Sequence, residues 1–207
     1  MRALISVYNK DGLDKLCKTL SSSGCEIYST GGTLSYIKNL GINVNSVEEL
    51  TNQKEFLGGR VKTLHPKIHG AILADTDNSD HISDLKTFNI TPFDFVINNL
   101  YPFEEILSNP NSSPEEIIEN IDIGGPSMLR AAAKNFSRVT VLIDPNDYEE
   151  FSEKFIKRKI DRNYRKKLAK KVFKITSEYD LKIFDYFNNY SIDQIIPDTI
   201  FIKQYKV

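Results

Sequence analysis

Sulfur chemistry is nearly absent from this chain. Its 207 residues include only two cysteines, Cys17 and Cys25, and neither sits in a spacing that holds a metal or runs a redox couple. So few cysteines fit a reducing compartment, with each side chain acting as a small hydrophobe. An excess of charge of one sign is also missing. The formal net charge of −1 gives no global preference for nucleic acid or an acidic membrane. No apolar run approaches the roughly 20 residues that span a bilayer. Residues 1–7 meet polar side chains too soon to form a secretory signal. The expectation is a cytosolic protein with neither a membrane nor a nucleic acid as partner. Metal-binding patterns are lacking too. His65 and His69 are four apart, but Pro66 is expected to disrupt a helix that would align them, and no third ligand is evident. The acidic stretch 75–80 lacks the calcium-loop Gly at its sixth position and Glu at its twelfth, which are Asp80 and Lys86. No metal site is expected.

What is present is ordinary globular composition, 40% apolar and 27% charged, which argues against disorder. The length suits one substantial core, or one core with a helical appendage. Short apolar runs predict strands over 3–7, 26–29, 44–47, 71–74, 95–99 and 138–143. Helices are predicted over 11–22, 33–40 and 82–88, with 108–114 as a turn-rich loop. From 148 to 187 the pattern is helical, and 195–207 is short and mixed. Alternation of strands and helices, with continuous apolar strands, predicts a three-layer α/β fold. Its mostly parallel sheet is flanked by helices and followed by a C-terminal helical extension. The expected division is 1–147 for the α/β domain and 148–207 for the extension packed on it. Ligands of such sheets gather at the carboxyl ends of the strands.

Four segments carry chemistry. Ser29-Thr30-Gly31-Gly32-Thr33 follows a strand and opens a helix, so free backbone N–H groups and the helix dipole face an anion. A plain βα turn with Thr as N-cap is the alternative. Ser6 and Lys10, just after the neighbouring strand, favour a phosphate-bearing ligand. Gly58-Gly59-Arg60-Val61-Lys62-Thr63-Leu64-His65-Pro66 fits neither helix nor strand and concentrates basic and hydroxyl groups. Asn98-Asn99-Leu100-Tyr101-Pro102-Phe103 leaves a strand end with polar side chains suited to recognition. Ile121-Asp122-Ile123-Gly124-Gly125-Pro126 places a carboxylate between isoleucines ahead of an alanine-rich helix that carries Lys134. Its glycine N–H groups suit an oxyanion. Asp122 needs a partner, and Lys134 is the expected one.

These motifs, in this order and at about this spacing, resemble the inosine monophosphate (IMP) cyclohydrolase domain. That domain forms the N-terminal half of the bifunctional AICAR transformylase/IMP cyclohydrolase enzymes. The resemblance runs over 3–187 and includes the late Phe173-Lys174-Ile175-Thr176-Ser177-Glu178-Tyr179-Asp180 segment. It implies a methylglyoxal-synthase-like fold and ring closure of 5-formamidoimidazole-4-carboxamide ribotide to IMP, with loss of water and no cofactor. It implies that Ser6, Tyr8, Asn9, Lys10 and Thr30 to Thr33 hold the 5′-phosphate end. Arg60, Val61 and Thr63 line the nucleotide, Asn98 and Asn99 read the base, and Lys62, Tyr101, Asp122 and Lys134 form the reacting cluster. In this assignment Asp122 and Lys134 shuttle the proton. Lys62 and the backbone of Ile123, Gly124 and Gly125 stabilise the oxyanion. A homodimer is implied as well.

Three departures from the family stand out. Tyr8 occupies a position where relatives carry Ser, which leaves a backbone contact to phosphate as the expected one there. Thr30 replaces a Ser and keeps the hydroxyl. The chain stops at Val207, where the transformylase half would begin, so folate-dependent formyl transfer is not expected from this chain, and a separate transformylase is a candidate partner. Methylglyoxal synthases and the allosteric domain of carbamoyl phosphate synthetase share the fold type but not the later motifs. A nucleic-acid binder is suggested by eleven Lys or Arg against one acid over 154–174, although helical spacing of Tyr164, Leu168, Val172 and Ile175 makes this a solvated helix face.

Overall fold

A computed structural model of the chain describes residues 1–189; the predicted mixed segment at 195–207 lies outside them. Five strands form one parallel sheet in the order β3-β2-β1-β4-β5. They are β1 Arg2–Val7, β2 Glu26–Ser29, β3 Asn45–Ser46, β4 Phe95–Asn99 and β5 Thr140–Leu142. β1 is central because Ala3, Leu4, Ile5 and Val7 are buried, the continuous apolar run that a strand covered on both faces requires. Its register sets Ile5 beside Ser29 of β2 and Val7 beside Asn99 of β4. β1 and β4 therefore finish level, and β2 ends two residues earlier.

Helices cover both faces. α1 (Leu13–Ser22) buries Leu13, Leu16, Cys17 and Leu20, the i, i+3, i+4, i+7 stripe of an amphipathic helix. Burial pushes the Cys17 thiol up to about 12, so it is an inert core side chain. α2 (Gly31–Asn39) follows β2 directly, and α3 (Val47–Thr51) follows β3. The segment predicted as a strand over 71–74 is instead the end of α4 (Pro66–Leu73). His65 caps α4, with its Nδ1 accepting from Lys67 N at 3.1 Å. Pro66 occupies the first turn, where its missing N–H costs nothing. Pro66 thus starts a helix rather than breaking one.

α5 (Ser79–Thr87) leads to β4. Two short helices, α6 (Phe103–Ser108) and α7 (Pro114–Glu119), flank the expected turn-rich loop. α8 (Gly124–Lys134) precedes β5, and α9 (Tyr148–Ile156) and α10 (Arg162–Asn189) follow it. Phe151 and Phe155 of α9 and Leu168 and Val172 of α10 belong to the same hydrophobic core as the sheet. The basic stretch of α10 is largely matched within the fold. Lys171 reaches Asp144 at 2.6 Å and Asp147 at 2.8 Å, while Lys167 reaches Glu150 at 2.9 Å. A second small cluster joins Phe103, Ile117, Tyr179 and Tyr186, tying α6 and α7 to α10. No described helix is long and apolar enough to cross a membrane.

Candidate functional site

The strand order reverses direction between β1 and β4, and such a switch point opens a crevice at the carboxyl ends of the strands. A cavity of about 680 Å³ lies there. The turn after β1 contributes Ser6, Tyr8 and Lys10, and the turn after β2 contributes Thr30 to Thr33. The loop before α4 brings Arg60, Lys62 and Thr63. Asn98, Asn99 and Tyr101 come from the end of β4, and Asp122 to Gly125 from the start of α8. Asn9, Val61 and Lys134 are the predicted site residues that do not line it.

At one end the backbone shapes the cavity. Thr30 is extended at the N-terminus of α2, and its side chain makes no capping bond. Gly31 has φ +52°, and a Cβ there would lie 3.7 Å from Lys62 Nζ. The Lys62 ammonium thus leans over the β2–α2 turn, paired with Glu55 at 3.2 Å. Thr33 lends its hydroxyl to the scaffold, accepting from Val7 N at 3.0 Å and donating to Val7 O at 2.9 Å. Asn99 does the same for the neighbouring turn. Its Oδ1 accepts from Tyr8 N at 2.7 Å and Asn9 N at 3.0 Å, and its Nδ2 donates to Asn9 O at 2.8 Å. Asn99 therefore clamps the β1 turn from the cavity wall. Asn9 turns its own side chain to Asp11, and Val61 bridges to Phe56 outside the cavity. Lys10 Nζ donates to Tyr8 O at 3.1 Å. Arg60 pairs through Nε and a second nitrogen with the carboxylate of Glu119 on α7.

The other end is built from burial. Asp122 Oδ1 accepts from Gly125 N at 2.9 Å. Desolvation raises its carboxyl above the ordinary range, against the pull of backbone hydrogen bonds from Gly125 and Tyr101. Asn98 is 4% exposed, and its Oδ1 has no partner. A Cβ on Gly125 would overlap the Asp122 carboxylate and lie 3.0 Å from Asn98 Oδ1. The two side chains thus converge on one glycine, which explains why that position has none. Thr63 is buried, and its hydroxyl would lie 3.1 Å from a Cβ on Gly124. The expected Asp122–Lys134 pair does not form. Asp122 lies two residues before the 11-residue α8 and Lys134 is its last residue, so the length of the helix, about 15 Å at ~1.5 Å per residue, stands between them. Lys134 is exposed in the last helical turn, a position that favours a cation.

Several site features went unpredicted. Glu119 and Ile118 reach the cavity from α7, whose start was readable: Ser113-Pro114-Glu115-Glu116 forms a capping box with Pro in the first turn. Tyr179 carries no local signal, since it acts on a residue distant in sequence, and Glu55 meets Lys62 within an irregular loop that has no period to read. Among the described residues no group of three or more His, Cys, Asp or Glu could hold a metal ion.

Sheet order, the shape of the cavity and the family comparison agree on the class. A family model described as MGS-like domain matches residues 12–127, and the chain belongs to that family. A second, described as AICARFT/IMPCHase bienzyme, matches 132–206. Within the family the chain matches the N-terminal IMP cyclohydrolase region of PurH. It is 50% identical over 199 residues to the bifunctional purine biosynthesis protein PurH of Caldicellulosiruptor saccharolyticus, covering 95% of this chain and 39% of that protein. The PurH of Staphylococcus saprophyticus is 49% identical over 188 residues, covering 91% and 38%. The chain spans about two fifths of the length of these curated relatives. Among solved structures, the crystal structure of ForH superposes with a TM-score of 0.83 at 32% identity, covering 90% of this chain and 96% of that one.

Proposed function

We propose that this chain is an IMP cyclohydrolase of purine biosynthesis, closing the second ring of 5-formamidoimidazole-4-carboxamide ribotide to give IMP. The carboxamide nitrogen attacks the formyl carbon of the same molecule. The former formyl oxygen leaves as water with one proton from the carboxamide nitrogen and one from the formamido nitrogen, and the C=N bond formed between the former formyl carbon and the formamido nitrogen completes the pyrimidinone. Nucleophile and electrophile sit in one substrate, so the protein's task is to hold a reactive conformer, move protons and stabilise the developing oxyanion.

The observation that supports this reading most is the polarity of the cavity. One end offers the open N-terminus of α2 with Lys62 above Gly31, which suits a phosphate dianion. The other offers the desolvated Asp122 beside the unpartnered Asn98 Oδ1, which suits the base and its proton transfers. In this reading Ser6, Lys10, Thr30 to Thr33 and Lys62 hold the phosphate end, with Arg60 recruited from Glu119. Thr63 and Asn98 contact the base end, and Tyr101 and Asp122 exchange protons. The backbone N–H groups near Gly124 face the oxyanion.

Lys134 of the same chain has no part in this arrangement. A second copy in a homodimer is the remaining route by which that ammonium could serve the reaction. Lys134→Ala cyclising at the wild-type rate removes it altogether. The reading also carries a cytoplasmic setting, a homodimer, a 148–207 extension belonging to the same domain, and supply of substrate by a transformylase. Incubating the chain with the formamido-ribotide should yield IMP above the uncatalysed rate, and Asp122→Asn should lower that excess by about 10²-fold or more. Equal rates with the wild type, with the variant and without protein would overturn the proposal.

A further inference from the structure

α10 reaches the site through one residue. Tyr179 is 7% exposed, and its phenol oxygen accepts a hydrogen bond from the main-chain N–H of Asp122 at 2.8 Å. The same hydroxyl points at Asn120 O, 3.5 Å away. Its ring packs edge-on to Phe103 at 6.0 Å, and Phe103 opens α6 two residues after Tyr101 of the loop that follows β4. Tyr179 therefore supports both loops that carry the proposed proton-transfer groups, one by a hydrogen bond and one by packing. Packing alone would be served as well by phenylalanine. A buried phenol is favoured where its oxygen finds a partner, and here that partner is the Asp122 backbone. Burial holds the Tyr179 hydroxyl above its usual range, so it stays neutral and can accept and donate at once.

Asp122 is consequently fixed from two sides. Its N–H points to Tyr179, and its carboxylate points to Gly125 N. With both groups committed, rotation of the 121–124 turn is restricted and the carboxylate stays aimed at the cavity. We infer that Tyr179 is a positioning residue for the ring-closing reaction, holding Asp122 from the C-terminal helix and making that helix part of the site. This rests on the cyclohydrolase reading of the cavity.

Tyr179→Phe tests it, since the ring and its packing remain while the hydrogen bond is lost. The expected result is a fall in kcat of about 10- to 100-fold, the range for misplacing a catalytic group, with KM changed less than about threefold because the phosphate end is untouched. Ile117→Val serves as control; it trims the same small cluster without touching the bond and should leave kcat within about twofold. The backbone amide of Asp122, followed by NMR and hydrogen exchange, should lose its protection in Tyr179→Phe and keep it in Ile117→Val. Equal loss of kcat in both variants, or an unchanged kcat in Tyr179→Phe, overturns the inference. If Asp122 loses protection in Tyr179→Phe with kcat unaltered, the bond is structural only, which also overturns it. A wild-type chain that forms no IMP overturns the cyclohydrolase reading itself, and the amide measurement then reports the hydrogen bond independently of that failure.

Discussion

The two ends of the cavity are made in opposite ways. In the loop before α4 the cations are accessible and each already has an internal partner: Lys62, which leans over the β2–α2 turn, has Glu55, and Arg60 has Glu119. Their side chains are 33% and 66% exposed, so water and salt weaken these pairs and an incoming phosphate can replace the carboxylates. At the start of α8 the groups are few, half-buried or buried, and held by main-chain hydrogen bonds. Asp122 is desolvated and Asn98 Oδ1 has no partner, a state that costs free energy until a ligand supplies a donor. Charge that can be exchanged suits binding and release. Polar groups fixed in a drier setting suit chemistry, because their interactions are stronger there and need no rearrangement.

The contrast breaks most completely at Asp122. Asp122→Asn keeps the shape and an acceptor for Gly125 N but removes proton exchange, so kcat should fall by about 10²- to 10⁴-fold with little change in KM. The same variant should be more stable than the wild type at neutral pH. The Asp122 carboxyl is raised by desolvation, so its contribution to stability is full below the ordinary carboxylate range and is lost as pH rises through the folded-state value. Melting curves of the two proteins should therefore diverge at pH 7 and converge in acid; a wild type that stays the more stable at pH 7 would contradict this. Next in size is Gly125→Ala. The added Cβ would overlap the Asp122 carboxylate and crowd Asn98 Oδ1, moving the reacting end by the kind of displacement that costs about 100-fold in rate. Calorimetric binding of a phosphate-bearing ligand such as IMP should suffer less, since the anion turn lies elsewhere. Affinity falling in step with kcat would show that the two ends are not separable.

Much of this layout was readable from residue order. β1 and β4 announce themselves as continuous apolar runs and β2 as a short strand around Ile27 and Tyr28, and their loops carry the motifs that meet in the cavity. The segment 71–74 misled because Ala71-Ile72-Leu73-Ala74 is too short to separate a buried strand from a buried helix end. What decides is its upstream context: a His65 cap, Pro66 in the first turn, and Ile68, Ala71 and Ile72 on one buried face. The Asp122–Lys134 expectation failed for a geometric reason. Complementary charges near in sequence are kept apart when a straight helix separates them. Glu119 and Tyr179 could not be assigned by pattern, since their partners Arg60 and Asp122 come from distant parts of the chain, and Glu55 and Lys62 lie in one irregular loop where no helical or strand period predicts that they meet.

At the anion end the expected effects are smaller and appear in affinity. Lys62→Gln removes the ammonium above Gly31 and should weaken binding of IMP by about 10- to 100-fold, the scale of a hydrogen bond to a charged group. The loss should shrink as salt is raised, while the rate with bound substrate changes less. A salt-independent loss, or one confined to kcat, would return Lys62 to the reacting end.

Glu119→Gln should act in the other direction and most weakly. Arg60 and Glu119 are both exposed, and the bond between them lowers the carboxyl and raises the guanidinium from their ordinary values. The pair nevertheless spans only the surface between the loop before α4 and α7, so neutralising Glu119 should leave the melting temperature nearly unchanged. It should instead free Arg60 for the ligand, giving a few-fold tighter binding of IMP at low salt and no gain at high salt, where the internal pair is already screened. Measuring affinity against ionic strength for both proteins separates the alternatives. If Glu119→Gln binds IMP more weakly than the wild type at low salt, Glu119 is holding Arg60 in its binding position, and the carboxylate is part of the site rather than a stand-in for the phosphate.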